Sequence, residues 1–209
     1  MPREPLWEPK ELPFGLLAYG PAADPGYEDG ELVITTGPGQ DRFVHPGREP
    51  KVPAADAPRL LGTPPEGDFQ LIARVTPRLR SAGDAGALCL EVADDQWAKL
   101  CLELSPARYT VVSVVTRGRS DDANSYEVPG DHVWLRITRT GRAFAFHASD
   151  DGERWTFVRL FTLGTEREAA VASVGFMAQC PSPDADGCTA VFDRIVFRPW
   201  APGDLRDGS

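Results

Sequence analysis

Glu91, Trp97, Lys99, Cys101 and Glu103 have the residue types and the spacing of a binding surface. They lie in two apolar-alternating runs, ALCLEVA and WAKLCLEL, on either side of Asp94-Asp95-Gln96. With those three residues as the hairpin loop, Ala93 faces Trp97, and counting back pairs Val92 with Ala98, Leu90 with Leu100 and Leu88 with Leu102. Side chains alternate along a strand, so the six residues of the last three pairs share one face. The other face sets Glu91 opposite Lys99 and Cys89 opposite Cys101. An opposed Glu–Lys pair contributes about 0.2–1 kcal/mol. A one-residue slip would place Glu91 beside Leu100, so the pattern selects against that slip. An outward indole beside an ammonium and two carboxylates can stack on the apolar face of a sugar or aromatic ring. The charged groups can then hydrogen-bond the ring substituents.

Catalysis has weaker support. Glycoside hydrolysis needs two carboxyls about 5–5.5 Å apart for retention or about 6.5–9.5 Å apart for inversion. In the register above, Glu91 and Glu103 are separated by roughly 13–14 Å along the strands. A hydrolase would need a carboxylate from another strand to pair with Glu103. His45, His132 and His147 lie in separate segments, without metal-ligand spacing. His147 alternates with Phe144 and Phe146, which turns it toward the surface as a structural histidine. No GxSxG elbow and no GxxxxGK[ST] phosphate loop is present. Asp184-Ala185-Asp186-Gly187 resembles the start of a calcium loop but lacks the closing glutamate. None of Cys89, Cys101, Cys180 and Cys188 forms a CxxC pair. Cys180 and Cys188 bracket a turn-rich loop that a disulfide can span, but a reducing compartment would keep all four as thiols. No catalytic residue, metal ligand or cofactor is expected.

Strands must hold these residues in place. DFQLIARV alternates, with Phe69, Leu71, Ala73 and Val75 on one face. ELVITT, YTVVSVVT, HVWLRITRT, RAFAFHAS, WTFVRLFTL, AVASVGFMAQ and TAVFDRIVF read as further strands, with Asp151-Gly152 as a hairpin turn. Only Thr165 to Ala170 reads as helix. Many short strands separated by turn chemistry signal a sandwich or barrel. The expected organisation is one domain over 1–200, with an irregular lead-in over 1–30 and a long loop over 37–67. Residues 201–209 read as a solvated tail.

The 209 residues are 42% hydrophobic and 25% charged, which is ordinary for a globular domain with a sizeable core. A net charge of −9 disfavours partners that are phosphate backbones or anionic membrane surfaces. The early apolar stretch Phe14 to Tyr19 is too short for a signal h-region. The expected compartment is the cytoplasm.

Several segments together resemble a bacterial and fungal domain-of-unknown-function family, the "regulation of enolase" family, of the concanavalin A-like lectin/glucanase superfamily. They are Asp84-Ala85-Gly86-Ala87-Leu88, Trp97-x-Lys99, Glu103, SVVTRGRSD (Ser113 to Asp121) and SDDGERW. Leu6-Trp7-Glu8-Pro9 is similar to that family's opening, with Glu8 in place of Asn, and Asp41-x-Phe43 is similar to its aspartate-aromatic motif. Two features depart from the family: Asp122 stands where a Trp usually follows Ser-Asp, and the segment after Asp41 is longer and richer in proline.

The resemblance implies an all-β, two-sheet antiparallel sandwich of the concanavalin A-like jelly-roll type, and implies no reaction. The resulting expectation is a non-catalytic domain that binds a carbohydrate or small metabolite on its concave sheet. Trp97, Lys99 and Glu103 would form the site, with Arg117, Ser120 and Asp121 at its rim. The alternatives are a regulatory module that binds a protein partner and a glycoside hydrolase with an unrecognised acid pair.

Overall fold

The computed structural model describes residues 7–21, 25–49, 56–206 and 208. In chain order the strands are β1 (Leu17–Tyr19), β2 (Gly26–Glu28), β3 (Glu31–Thr36), β4 (Arg59–Gly62), β5 (Phe69–Arg78), β6 (Ala85–Ala93) and β7 (Gln96–Leu104). They continue with β8 (Tyr109–Arg117), β9 (Arg119–Glu127), β10 (Val133–Thr140), β11 (Ala143–Ser149), β12 (Thr156–Thr162), β13 (Ser173–Gln179) and β14 (Cys188–Arg198). A short helix, α1 (Glu166–Ala170), precedes β13. Two seven-stranded antiparallel sheets result, in the orders β1-β4-β13-β6-β7-β8-β9 and β12-β11-β10-β5-β14-β3-β2. The chain is therefore a two-sheet β-sandwich.

Alternation explains the core. Phe69, Leu71, Ala73 and Val75 of β5 all point between the sheets and are almost fully buried. They meet Leu88, Leu90, Leu100, Leu102, Val111 and Val115 of the facing sheet. In β14 the pattern changes phase. Ala190 and Phe192 face inward, a bulge follows Asp193, and Ile195 then takes the inward position. Arg194 occupies the bulge at φ 49°. One extra residue reverses the alternation, so Val196 and Arg198 face outward while Ile195 stays in the core.

α1 begins and ends through side chains. Thr165 accepts from the Glu168 backbone N–H, and the Glu168 carboxylate accepts from the Thr165 N–H, a reciprocal capping box. At the other end the buried Arg139 guanidinium donates to the last-turn carbonyls of Ala169 and Ala170, and the Ala172 N–H also donates to that of Ala169. Among the described residues no helix is long and apolar enough to cross a membrane.

Four expectations change. The β6–β7 turn holds two residues, not three, because Ala93 pairs with Gln96 and a bulge follows Glu91. Leu90 therefore faces Ala98, Leu88 faces Leu100, Glu91 faces Trp97 and Cys89 faces Lys99, a shift of two residues from the expected pairing. Side-chain period is two, so the shift moves every pair and leaves every face as expected. The lead-in contains β1 and β2, and the 37–67 loop contains β4. The polar segment after Gly118, absent from the expected strands, is the edge strand β9. Finally, residues 201–206 and 208 do not form a solvated tail. The Trp200 carbonyl accepts from Gln70, and the Gly208 carbonyl accepts from the buried Arg136. The Leu205 carbonyl lies 2.7 Å from His147 Nε2, so His147 is on an outer face yet fully buried.

Gly175 fixes how closely β13 and β4 approach. A Cβ built there would lie 1.8 Å from the Leu60 carbonyl oxygen, a backbone atom that cannot move without displacing β4. Gly175→Ala should therefore destabilise the domain by about 1–3 kcal/mol or more. A urea melt that leaves the midpoint unchanged would contradict this.

Candidate functional site

The outer face of the first sheet carries a second apolar layer. Leu61, Cys89, Trp97, Cys101, Val112, Val114 and Met177 form a buried cluster there, separate from the main core. Such a face needs a cover, and residues 40–44 supply one. At one end, the Cys180 N–H donates to the Gln40 carbonyl at 2.8 Å. At the other, the Ser120 N–H donates to the Val44 carbonyl and the Val44 N–H donates to Ser120 Oγ, each at 2.9 Å. In the middle, Lys99 Nζ donates to the Arg42 carbonyl at 2.8 Å. The segment is thus a strap laid across the strands from β13 to β9.

Lys99 is 1% exposed. Besides the Arg42 carbonyl, its ammonium donates to Gln179 Oε1 and lies 3.6 Å from Asp41 Oδ1. Two of the ammonium's three protons are thereby hydrogen-bonded, and Asp41 supplies the nearby opposite charge. Gln179 is in turn oriented by donating to the Gly83 carbonyl at 2.8 Å.

Beside the strap, Arg42 lies over the Trp97 ring at 4.8 Å. Its guanidinium pairs with Glu91 at 3.0 Å and Asp56 at 3.2 Å, and Arg59 pairs with the same two carboxylates. Two arginines and two carboxylates close a mutually neutralising network. Burial alone would lower the Arg59 pKa, but Glu91 and Asp56 together hold it raised. Trp97, 3% exposed beneath this network, is a packing residue and is not offered to solvent.

Between the strap and β9 a recess of about 190 Å³ remains open. Its polar wall is Asp41, Lys99, Glu103, Asp122 and Gln179, and its apolar surface is Phe43, Val112 and Val114. The Glu103 carboxyl is half-buried, and its pKa is pushed up to about 7. Desolvation is the main cause; Lys99 opposes it, and the charges of Asp41 and Asp122 reinforce it. Glu103 therefore exchanges its proton near neutral pH, beside two carboxylates.

The cysteines add no reactive group. All four are free and buried. Burial pushes the Cys89 and Cys188 thiols up to about 12 and Cys180 to about 11. The possible 180–188 disulfide is not formed.

Of the six residues expected at the site, Lys99 and Glu103 line the recess, with Lys99 engaged by the strap. Trp97 is roofed by Arg42. Ser120 anchors the strap, and its hydroxyl also bonds Thr116 at 2.9 Å. Arg117 donates to the Thr162 carbonyl at 2.6 Å, and Asp121 pairs with Arg159 at 3.0 Å. Both partners are on β12, so Arg117 and Asp121 clamp the two sheets at their edge and do not line a rim. Alternation accounts for the exchange: Asp121 opposes the core residue Val115, whereas Asp122 opposes Val114 on the outer face. Asp41, Asp122 and Gln179 are the recess residues that spacing along the chain did not identify. Asp41 carried a signal in Asp41-x-Phe43; Gln179 carried none. Of the Leu6-Trp7-Glu8-Pro9 pattern, Leu6 lies outside the described residues.

Larger recesses occur elsewhere, including one of about 500 Å³ between Arg117 and Arg159 at the sheet edge. There the arginines already serve the clamp, and no carboxylate lines the walls. The 190 Å³ recess is the candidate site because its polar groups converge from four separate segments.

A family model described as "Protein of unknown function (DUF1349)" matches residues 20–200. The Saccharomyces cerevisiae protein named "Regulation of enolase protein 1" is 28% identical over 147 residues, covering 70% of this chain and 69% of its own length. Among solved structures, a functionally unknown protein from Saccharomyces cerevisiae superposes with a TM-score of 0.77 at 22% identity, covering 90% of this chain and 97% of that one. A GH43 protein from Bacillus licheniformis superposes with a TM-score of 0.63 at 13% identity, covering 83% of this chain and 34% of that one. At these identities the likeness between structures is one of fold.

Two outcomes follow from the geometry. Lys99→Met removes the central pin and leaves buried acceptors without a donor, which costs about 1–3 kcal/mol. Amide exchange at Val44 and Ser120 should accelerate with it; unchanged protection of those amides would show that Lys99 does not hold the strap. Glu103 gives a pH signature. Its folded pKa lies above the ordinary carboxylate value of 4.5, so the protonated form stabilises the fold. That contribution is complete below about pH 4.5 and is lost as pH rises through about 7. Glu103→Gln should therefore gain melting temperature relative to the parent between pH 5 and pH 8, by about 2–4 °C for each kcal/mol recovered. A constant difference across that range would contradict the raised pKa.

Proposed function

The chain belongs to the DUF1349 family of proteins of unknown function, and from that premise we propose that it is a non-catalytic ligand-binding domain whose site is the recess at Glu103. The observation that carries this reading is the convergence of Asp41, Lys99, Glu103, Asp122 and Gln179 on one small cavity with an apolar side at Phe43, Val112 and Val114. Few polar groups placed precisely against apolar walls are how proteins orient small ligands. By liquid volume the cavity equals about six waters, which suits one sugar-sized residue and no polymer.

Charge narrows the class. Three carboxyls stand against a single ammonium that the strap already engages. A phosphate would meet net negative charge, whereas hydroxyls can donate to Asp41 and Asp122 and accept from protonated Glu103. A neutral, hydroxyl-rich metabolite or monosaccharide is the ligand class. The reading includes a cytoplasmic setting, in keeping with four unpaired thiols.

The name of the yeast relative, "Regulation of enolase protein 1", favours a second reading, a regulatory module that acts on a protein partner. Calorimetry and thermal shift against neutral sugars, polyols and their phosphates separate the two. Ligand binding to the native state raises stability by mass action. The expected result is a neutral polyhydroxylated hit, a weaker or absent response to its phosphate, and about tenfold or greater loss in Asp122→Ala and Glu103→Ala. No hit at millimolar concentration, or a hit insensitive to both substitutions, would overturn the recess reading. Turnover of a glycoside that disappears in Glu103→Gln would replace it with the acid-pair hydrolase.

A further inference from the structure

The opposite side of the sandwich carries a surface of contrary character. On the outer face of the second sheet, Ile72 and Val196 form the floor of an open groove of about 340 Å³. Trp134 and Trp155 flank it, and Arg74, Arg194 and Arg198 stand around it. Each indole is held. Trp155 lies over the buried Arg136 guanidinium at 4.3 Å. Trp134 has Arg74 over its ring at 5.5 Å, and Gly152 packs so closely that a Cβ there would be 3.0 Å from the indole nitrogen. The aromatic walls are therefore set before any partner arrives.

The bulge in β14 creates this groove. Without the extra residue at Arg194, Val196 and Arg198 would point into the core. With it, two arginines and an exposed aliphatic side chain line one side. A non-glycine residue at φ 49° carries a local conformational cost that the rest of the sheet sustains.

The charge is only partly compensated. Arg74 pairs with Asp193. Among the described residues, Arg136, Arg194 and Arg198 pair with no carboxylate, and Arg136 is 2% exposed. Arg198 acts on Arg136 as a like charge, adding to the desolvation that lowers the Arg136 pKa to about 10. Glu31 and Asp131 also act on Arg74, so the positive charge is concentrated on the Arg194–Arg198 side, a local basic field on a chain of net charge −9. Tryptophan and arginine are the residues that most often anchor protein interfaces.

We propose that this groove docks an extended acidic segment of a partner protein, with one apolar side chain seated on Ile72 and Val196 between the two tryptophans. Charge complementarity selects the segment: its carboxylates meet Arg194 and Arg198, and the flat arginine fork binds carboxylates bidentately. The overall negative charge argues against a nucleic acid or an anionic membrane as the occupant.

The probe is a fluorescein-labelled twelve-residue peptide pool rich in Glu, with Leu or Phe at its centre, read by polarisation against the full chain. A Gln-for-Glu pool and a pool with Ser at the centre serve as twins. The expected result is saturable binding that weakens about tenfold or more in the Arg194→Glu/Arg198→Glu protein, in the Gln pool and in the Ser pool, and that weakens with salt. Both arginines are exposed, and Arg198→Glu alone provides a milder variant with the same expected direction. Glu103→Ala should leave peptide binding unchanged, which separates this groove from the recess. No saturable binding, equal binding of the Gln pool, or indifference to charge reversal would overturn the proposal. Equal competition by free hexanoate would assign the groove to small amphipathic anions and overturn the peptide.

Discussion

The buried ammonium of Lys99 is the interaction on which the first sheet's outer face depends. A charge at 1% exposure is unfavourable unless it is paired and hydrogen-bonded, and here the Arg42 carbonyl and Gln179 accept from it while Asp41 lies 3.6 Å away as its counter-charge. Because one of those partners is strap backbone, satisfying the charge also lays residues 40–44 over Trp97, Cys101 and Val114. The strap then brings Arg42 onto the indole and Asp41 to the mouth of the recess. A single electrostatic requirement thus converts a solvent-facing apolar surface into a second buried layer, and leaves a cavity where the cover ends.

This dependence explains which parts of the site were legible in the sequence. Alternation put Trp97, Lys99, Cys101 and Glu103 on one face correctly, and that assignment withstood a register error of two residues because the error was even. The bulge after Glu91 that produced the error has no signature in ALCLEVA. Whether a face is wet or covered is a different question, and strand periodicity does not answer it. The cover over Trp97 comes from more than fifty positions earlier in the chain, in a segment rich in proline and glycine. Only Phe43 and Val44 hinted that it packs on something.

The misread strands share a cause. β9 is an edge strand with mostly exposed residues, so RSDDANSYE shows no apolar period to detect. β4 has four residues, all buried, in a run bounded by prolines, too short for either period to register. Leaving β9 out of the expected strands had a functional consequence. In a strand, Asp121 and Asp122 must face opposite ways, and that parity sends Asp121 to the Arg159 clamp and Asp122 to the recess. β14 is the contrasting case. Its AVFDRIVF pattern changes phase at Arg194, and the bulge that follows keeps Ile195 inside. Phase slips of that kind can be read from sequence.

The two outer faces are built by one logic with opposite charge. Strands spend their apolar residues on the shared core, so each outer face depends on irregular chain for its cover: the 40–44 strap on one side, and residues 201–206 with 208 on the other. Where the strap covers, Lys99 is neutralised and the remaining cavity is acidic. Where the C-terminal run covers, its Leu205 and Gly208 carbonyls satisfy His147 and Arg136, and its Asp204 carboxylate accepts from the Arg206 N–H with no ion pair to the groove arginines among the described residues, so the remaining groove is basic. Carbonyls can satisfy the hydrogen bonds of a guanidinium but cannot cancel its charge. That difference between satisfying donors and neutralising charge is why the recess and the groove, on opposite sides of one sandwich, present contrary chemistry.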